Sequence, residues 1–205
     1  MTILKQSRQL IPLMVLIVLI GIVYTNAPVQ SEDAHLASGL SHWRYGTYTL
    51  YRVNPPMVRS AATLPLYLFC EDHSSWKQYV NYPLMRKEYA VGVNYLEENK
   101  EDAFRNILIA RSACMGFLLL GLTSCYFTAK SLGGKETALI AVLLLASSPY
   151  FLGHGATIMP DAHAAGFAVA AVLFFFYWLK RSDSYEAFMA GTILGLAEYC
   201  VSSRY

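Results

Sequence analysis

Two groups of acidic side chains are the residues most able to do chemistry. Glu32 and Asp33, with His35 close behind, follow an apolar run at residues 10–24, and Asp161 follows Pro160 later in the chain. Carboxylates near a membrane surface are costly to place and often functional. A low-dielectric setting raises a carboxyl pKa, which suits acid–base work. We therefore expect chemistry on a lipid-borne substrate, with Glu32, Asp33 and His35 activating or orienting an incoming nucleophile.

Helix capping is the alternative interpretation of the same residues. Ser31 is a favoured N-cap type, and Glu32 and Asp33 would then occupy the first turn, where negative charge favours the helix dipole. Asp161 directly after Pro160 also fits the first turn of a helix. Spacing alone leaves both interpretations open.

Basic side chains offer candidate phosphate ligands. Arg111 lies a few residues inside a later apolar run, where it could either snorkel to the interface or clamp a phosphate. Arg52 and Arg59 are similar candidates. His154 and His163 flank the second acid, but their spacing matches no metal motif, so no metal ligand is predicted. A divalent cation stays possible as a cofactor.

The composition indicates an integral membrane protein. Of 205 residues, 55% are hydrophobic and 15% charged, and the mean hydropathy is +0.35. Soluble domains carry about 25% charged residues. The net charge of +2 and the lack of a basic stretch exclude a nucleic-acid partner.

The apolar runs predict an all-α membrane protein with about five transmembrane helices and a large outer loop that carries interfacial helices. The predicted spans are residues 10–24, 107–129, 137–152, 164–179 and 185–200, with a turn at Gly133-Gly134. The domains are then 1–24 (cytoplasmic N-terminus and first span), 25–104 (extracytoplasmic loop) and 105–205 (spans two to five). Gly191 and Gly195 predict a close helix contact in the last span.

Two helices are predicted within the loop. Residues 33–45 place Leu36, Leu40 and Trp43 on one apolar stripe, with a polar face opposite, so this helix would lie in the interface plane. Residues 61–70 are apolar but short and contain Pro65, which favours an interfacial or re-entrant helix.

The positions of lysine and arginine predict the orientation. Basic residues accumulate at the N-terminus and after the second and fourth spans: Lys5, Arg8, Lys130, Lys135, Lys180 and Arg181. The side they share should be cytoplasmic, in a multi-pass protein of the inner (plasma) membrane. The loop 25–104 and the turn 154–163 then both face outward, and this puts the two acidic groups on one side.

Several segments together resemble the C-type glycosyltransferases, in particular the protein O-mannosyltransferase and aminoarabinose-transferase-like group (glycosyltransferase family 39-like). The segments are Glu32 to Gly39, Leu50-Tyr51-Arg52-Val53-Asn54-Pro55-Pro56, residues 88–92, Ala110-Arg111, and His154-Gly155 with Pro160-Asp161. The resemblance implies sugar transfer from a polyprenyl-phosphate donor to a protein or glycolipid acceptor among membrane lipids. It also implies an acid of the first loop as the base, so Glu32, Asp33 and Asp161 are the catalytic candidates, and His35, Arg52 and Arg111 the substrate-binding ones.

Two departures from that group matter. The family's acidic pair aligns as Asp-Glu, but here the first position is Ser31 and the second Glu32. Asp33 falls one residue late, which on a helix is about 100° of rotation. The chain also ends within the fifth predicted span, so we expect an N-terminal fragment. The alternatives are a non-catalytic truncated membrane protein or assembly subunit, and a transporter subunit, although the third and fourth spans have few of the midplane polar residues that a transporter wants.

Overall fold

The computed structural model describes residues 2–75 and 86–201, with side chains for 14–75 and 86–200. The described part is helical and has no strand. Its helices are α1 (Thr2–Thr25), α2 (Glu32–Tyr45), α3 (Pro56–Phe69), α4 (Lys87–Glu98), α5 (Ala103–Ala146), α6 (Pro149–Gly155), α7 (Pro160–Arg181) and α8 (Ser184–Val201). The side chains of Lys5 and Arg8, which contribute to the predicted orientation, and residues 202–205 lie outside this description.

A glycine divides α5 into two arms. Gly134 has φ 82° and ψ −172°, which is not helical, so the ladder of hydrogen bonds is interrupted there. A side chain would strain this backbone conformation, which glycine adopts freely. The turn predicted at Gly133-Gly134 is therefore confirmed as the break between the arms.

The third predicted span, residues 137–152, is wrong as a single helix. The second arm of α5 ends at Ala146, and a separate short helix, α6, begins at Pro149. Proline has no backbone N–H to donate and is favoured at the first position of a helix. The Ser148 hydroxyl accepts a hydrogen bond from Phe151 N at 3.4 Å, which caps the new helix.

Two helices within the described residues are long and apolar enough to cross a membrane, α5 and α7. Residues 14–25 of α1 form a shorter apolar helix. Large apolar side chains on the last helices are well exposed, as at Leu144, Val172 and Phe188. An exposed apolar surface of this kind fits contact with lipid. The number of spans, five, stays a prediction.

Helices α2, α3 and α4 form a compact unit against the start of α5. Leu36 and Leu40 of α2 pack with Leu66 of α3, Val91 of α4 and Ile107 of α5 in the main hydrophobic core. The polar face expected to point away from this core is also buried: Glu32, His35, Gly39 and His42 are all inaccessible. The expectation of an α2 with one solvated face is therefore wrong, because neighbouring elements cover that face. Glu32 contacts α5, His35 contacts the loop before α3, and Gly39 and His42 contact α3.

Glycines allow the closest approaches between helices. A Cβ on Gly39 would lie 2.4 Å from the Arg59 carbonyl oxygen of α3, and one on Gly92 would lie 2.5 Å from the Asp33 carbonyl carbon. A Cβ on Gly121 of α5 would lie 2.9 Å from Gly166 Cα of α7. These contacts hold α2 between α3 and α4 and join α5 to α7.

The close contact predicted at Gly191 and Gly195 is wrong. Among the described residues, a Cβ added at either position would meet no atom within 4 Å. These glycines face open space on α8, and the packing of α7 on α8 uses other residues, such as Ala170 and Ile193.

Candidate functional site

Glu32 and Arg111 form a buried ion pair. Arg111 Nε donates to Glu32 Oε1 at 2.9 Å, and Nη2 donates to Oε2 at 2.6 Å. Both side chains are fully inaccessible to solvent. Two parallel hydrogen bonds between a guanidinium and a carboxylate are the strong bidentate arrangement.

The remaining hydrogen-bonding atoms of this pair are also occupied. Arg111 donates to the carbonyls of Val23, Asn26 and Ala27 at 2.9–3.1 Å. The Glu32 carboxylate accepts from Val29 N at 3.0 Å and from Ile158 N at 3.3 Å. The pair thus connects the end of α1, the start of α2, α5 and the loop before α7. This placement favours a structural role over the acceptor activation and phosphate binding predicted for Glu32 and Arg111.

Ser31 does not cap α2 in the way the alternative interpretation expects. Its backbone is left-handed, with φ 85°, and its hydroxyl caps no N–H. Ser31 Oγ instead lies 3.2 Å from Tyr89 Oη, which also accepts from Arg86 Nη2 at 2.8 Å. The position where the related group has its first acid is therefore a hydroxyl within a small polar cluster.

Asp33 is the partly accessible acid of the first segment. It lies in the first turn of α2 and accepts a hydrogen bond from Ala34 N at 2.8 Å. Burial raises the pKa of the Asp33 carboxyl above its ordinary value, against the effect of the backbone N–H groups around it. A carboxylate that holds a proton more tightly is a better general base.

The segment after α2 is fixed by a buried arginine. Arg59 Nη2 donates to the carbonyls of Tyr51 and Asn54, both at 2.6 Å. The Arg59 guanidinium lies 5.0 Å from the centre of the Tyr51 ring and is 1% exposed. The Asn54 amide nitrogen donates to Tyr51 Oη at 2.9 Å and lies 3.4 Å from His35 Nε2.

His35, predicted to bind substrate, lies beneath this segment. Its ring centre is 5.0 Å from that of Tyr51, and 1% of the residue is exposed. Burial, with the nearby Arg59 charge, lowers the His35 pKa to about 3, so the ring is neutral at physiological pH. Any effect of His35 on a ligand must pass through Tyr51 or Asn54.

Asp161 lies in an open cleft of about 490 Å³, here called the Asp161 cleft. Asn54 from the loop before α3 and Tyr150 from α6 also line it, together with small and apolar residues. The start of α2 lies nearby, because Glu32 bonds to Ile158, three residues before Asp161. The structure thus brings both predicted acidic groups to the same end of the helices.

The other predicted residues are more scattered. Arg52 is exposed and directly precedes Val53 and Asn54 of the cleft wall. His163 is buried, with Nε2 2.9 Å from the Thr157 carbonyl oxygen. The rings of His154 and Tyr150 are tilted against each other, with their centres 4.4 Å apart. Within residues 2–75 and 86–201, no three His, Cys, Asp or Glu side chains are grouped to hold a metal.

Several residues of the site were not singled out by the sequence. Tyr89, Asn54 and Tyr150 carry no charge and no spacing signal, although Asn54 and Tyr89 belong to the segments 50–56 and 88–92 that carry the resemblance. Tyrosine and asparagine are common in loops and helix ends, so only the fold shows that these residues contact Ser31 or line the Asp161 cleft.

A comparison with protein families supports this resemblance. Residues 101–202 match the model of the family described as dolichyl-phosphate-mannose-protein mannosyltransferase. No curated protein and no solved structure shows significant similarity to the chain. The matched residues include Arg111, Tyr150 and Asp161, whereas the first acidic segment precedes them. The match supports the resemblance seen in the sequence: residues 101–202 of this chain are similar to the dolichyl-phosphate-mannose-protein mannosyltransferase family.

Proposed function

We propose that this protein is a membrane glycosyltransferase that moves a sugar from a polyprenyl-phosphate donor to an acceptor at one membrane surface. One observation carries the proposal: the hydrogen bond from Ile158 to Glu32 places the start of α2, and so Asp33, beside the loop that leads to Asp161. A partly exposed acid with a raised pKa and a cleft with a second acid then lie at the same end of the molecule. The family match supports glycosyl transfer in general terms.

Asp33 is the proposed base. As the acceptor oxygen or nitrogen forms a bond to C1 of the sugar, the bond from C1 to the phosphate oxygen breaks, and the acceptor proton passes to the Asp33 carboxylate. Polyprenyl phosphate leaves with the bonding electrons. Arg52, exposed beside the cleft wall, is the proposed phosphate ligand, because a guanidinium matches phosphate geometry.

Glu32 and Arg111 have a supporting role in this scheme. Their ion pair fixes the first turn of α2 relative to α5 and the 156–159 loop, and so positions Asp33. Precise support of this kind matters, since small displacements of a catalytic group are costly in rate.

A non-catalytic membrane subunit is the second candidate. It is favoured by Ser31, whose hydroxyl bonds to Tyr89 where the related group carries its first acid. In that case the only role of the buried ion pair would be to stabilise the fold.

The test measures transfer from a radiolabelled polyprenyl-phosphate sugar by membranes that contain the full 205-residue chain. Asp33→Asn preserves size and removes the base, so we expect transfer to fall by about 100-fold or more. Glu97→Gln, an exposed acid of the same loop region, is the matched control and should transfer as the parent does. Equal rates for Asp33→Asn and Glu97→Gln would refute Asp33 as the base. No transfer by the parent would favour the non-catalytic candidate.

A further inference from the structure

An apolar groove of about 280 Å³ runs between α1 and α5, and is here called the α1–α5 groove. Residues that line it include Leu16, Leu19, Leu122, Thr123, Tyr126 and Val142. We propose that the groove holds an acyl chain of an anionic phospholipid, and that Lys130 and Lys135 bind the phosphate of that lipid. This binding is independent of the proposed sugar transfer and can be measured without it.

Three helical segments form the walls of the groove. Leu19 of α1 packs with Leu122 from the first arm of α5, and Val142 of the second arm packs against them. The lining is apolar except for the hydroxyls of Thr123 and Tyr126, so it suits a hydrocarbon chain and not a polar ligand. Thr123 is exposed, and the groove is therefore open to a lipid that approaches from the side of the helices.

Lys130 lies at one end of the groove. Leu119, Thr123 and Tyr126 line the groove, and Lys130 continues their spacing along one face of α5. Lys130 Nζ lies 5.9 Å from the centre of the Tyr126 ring and 5.7 Å from that of Phe127, within the range of a cation–π contact. A lysine stem can follow apolar surface while its ammonium reaches the lipid headgroups.

Lys135 supplies a second cation from another wall. It begins the second arm of α5, seven residues before Val142, and so shares a helical face with that residue. Within the described residues, neither Lys130 nor Lys135 forms an ion pair. The charged side chains of residues 1–25 and 121–150 are Lys5, Arg8, Lys130, Lys135 and Glu136. Four cations against one acid favour an anionic headgroup over a zwitterionic one.

The Lys130 end of α5 is far from the proposed transfer site. Arg111, which binds Glu32, lies near the start of the same arm. The helix from Arg111 to Lys130 is about 28 Å long at about 1.5 Å per residue. The hydrocarbon core of a bilayer is about 30 Å thick. A phosphate at Lys130 therefore belongs to the opposite leaflet from the transfer site, which identifies the occupant as a bilayer phospholipid and not the sugar donor.

Native mass spectrometry of the full chain in mild detergent tests the headgroup. The probes are dioleoyl phosphatidylglycerol and dioleoyl phosphatidylcholine, which have the same acyl chains, at equal concentration. One basic residue near the membrane surface strengthens binding of an anionic lipid about fivefold, so the two lysines should give a preference of about 25-fold for phosphatidylglycerol. Lys130→Gln should lower this preference to about fivefold.

Lys180→Gln is the matched control for charge. Lys180 is exposed at the end of α7, with Nζ 4.3 Å from the centre of the Phe176 ring, and so resembles Lys130 in its setting. It lies at the same end of the helices, because Tyr177 Oη is 3.5 Å from Ser131 Oγ of α5. It does not line the groove, and its loss should leave the lipid preference at the parent value.

A second pair of variants tests the groove. Thr123→Phe fills it, and should weaken phosphatidylglycerol binding about tenfold, since this equals the loss of roughly two methylenes from apolar contact. Thr192→Phe, at an exposed threonine of α8, should bind as the parent does. Both threonines are exposed, so neither change disturbs the core.

Three results would overturn the proposal. Equal losses in Lys130→Gln and Lys180→Gln would mean that the basic end of the protein attracts anionic lipid without a site. Phosphatidylcholine bound as tightly as phosphatidylglycerol by the parent would remove the role of the lysines. Unchanged binding in Thr123→Phe would mean that the acyl chain lies outside the groove.

Discussion

Removal of the Glu32 charge should destabilise the fold, even when the size of the side chain is nearly unchanged. Glu32→Gln retains an oxygen that can accept from Val29 N or Ile158 N, but it removes the charge opposite Arg111. The guanidinium then remains fully buried, with no carboxylate bonded to it. The loss of the pair therefore leaves an uncompensated cation inside the protein.

The expected cost is large. Breaking a buried ion pair by removing one partner typically costs about 3–5 kcal/mol in the free energy of unfolding. The contacts here belong in that class, because both hydrogen bonds are short, at 2.9 and 2.6 Å, and both side chains are inaccessible. Arg111→Met should lower the free energy of unfolding by at least as much, because it also leaves three backbone carbonyls without the hydrogen bonds that Arg111 donates. The variant that carries both substitutions should lose less free energy of unfolding than the two single variants together, because it leaves no unpaired charge buried.

Denaturant unfolding of the full chain in mild detergent, followed by far-ultraviolet circular dichroism, measures these differences. The control is Asp102→Asn, which breaks a partly exposed pair with Arg105 at 3.0 Å and should cost under about 1 kcal/mol. The reasoning is refuted if Glu32→Gln unfolds at the same denaturant concentration as the parent and yet abolishes sugar transfer. That result would make Glu32 a catalytic group.

Three further outcomes are expected. Gly121→Leu should destabilise the α5–α7 contact, because even a Cβ would lie 2.9 Å from the Cα of Gly166. Gly195→Leu places its side chain in open space and should not destabilise the protein. Melting temperatures of the two variants compare these effects directly. Acid should destabilise the fold as the pH falls from about 6.5 to about 3, because the unfolded chain protonates His35 and His42 while burial lowers their folded pKa values to about 3. The free energy of unfolding should then fall by about 1.4 kcal/mol per pH unit for each histidine. This dependence on pH should flatten when both histidines are replaced by Gln. Arg59→Lys cannot span both carbonyls that the guanidinium holds, so amide exchange in residues 51–55 should quicken; exchange rates equal to those of the parent would contradict this.

Local patterns predicted the features that depend on neighbouring residues. The apolar stripe and the first-turn acids predicted a helix over residues 33–45, and α2 begins at Glu32 and ends at Tyr45. The paired glycines at 133 and 134 predicted the break in α5. The end of the second arm was also signalled, since Ser147-Ser148-Pro149 is a typical helix start, but the apolar run through residue 152 obscured it.

Features that depend on distant residues could not be predicted in this way. Arg111 and Glu32 are 79 residues apart, and neither periodicity nor spacing says that they meet. The burial of the polar face of α2 likewise depends on α3, α5 and the loop before α3, which the pattern within α2 does not contain. Tyr150 and Asn54 are joined only by the fold, so the Asp161 cleft was represented in the sequence by a single acid.

The ion pair also sets an order of assembly during synthesis. Glu32 leaves the ribosome 79 residues before Arg111, which at about 5–20 residues per second is roughly 4–16 s. Over that interval the carboxylate has no arginine to meet, and burial of an unpaired charge is unfavourable. The first turn of α2 therefore stays in water until α5 is in place. Once Arg111 has been synthesised, the end of α1, α2 and α5 can pack together in one late step. The first loop therefore reaches its final structure only after α5 has formed.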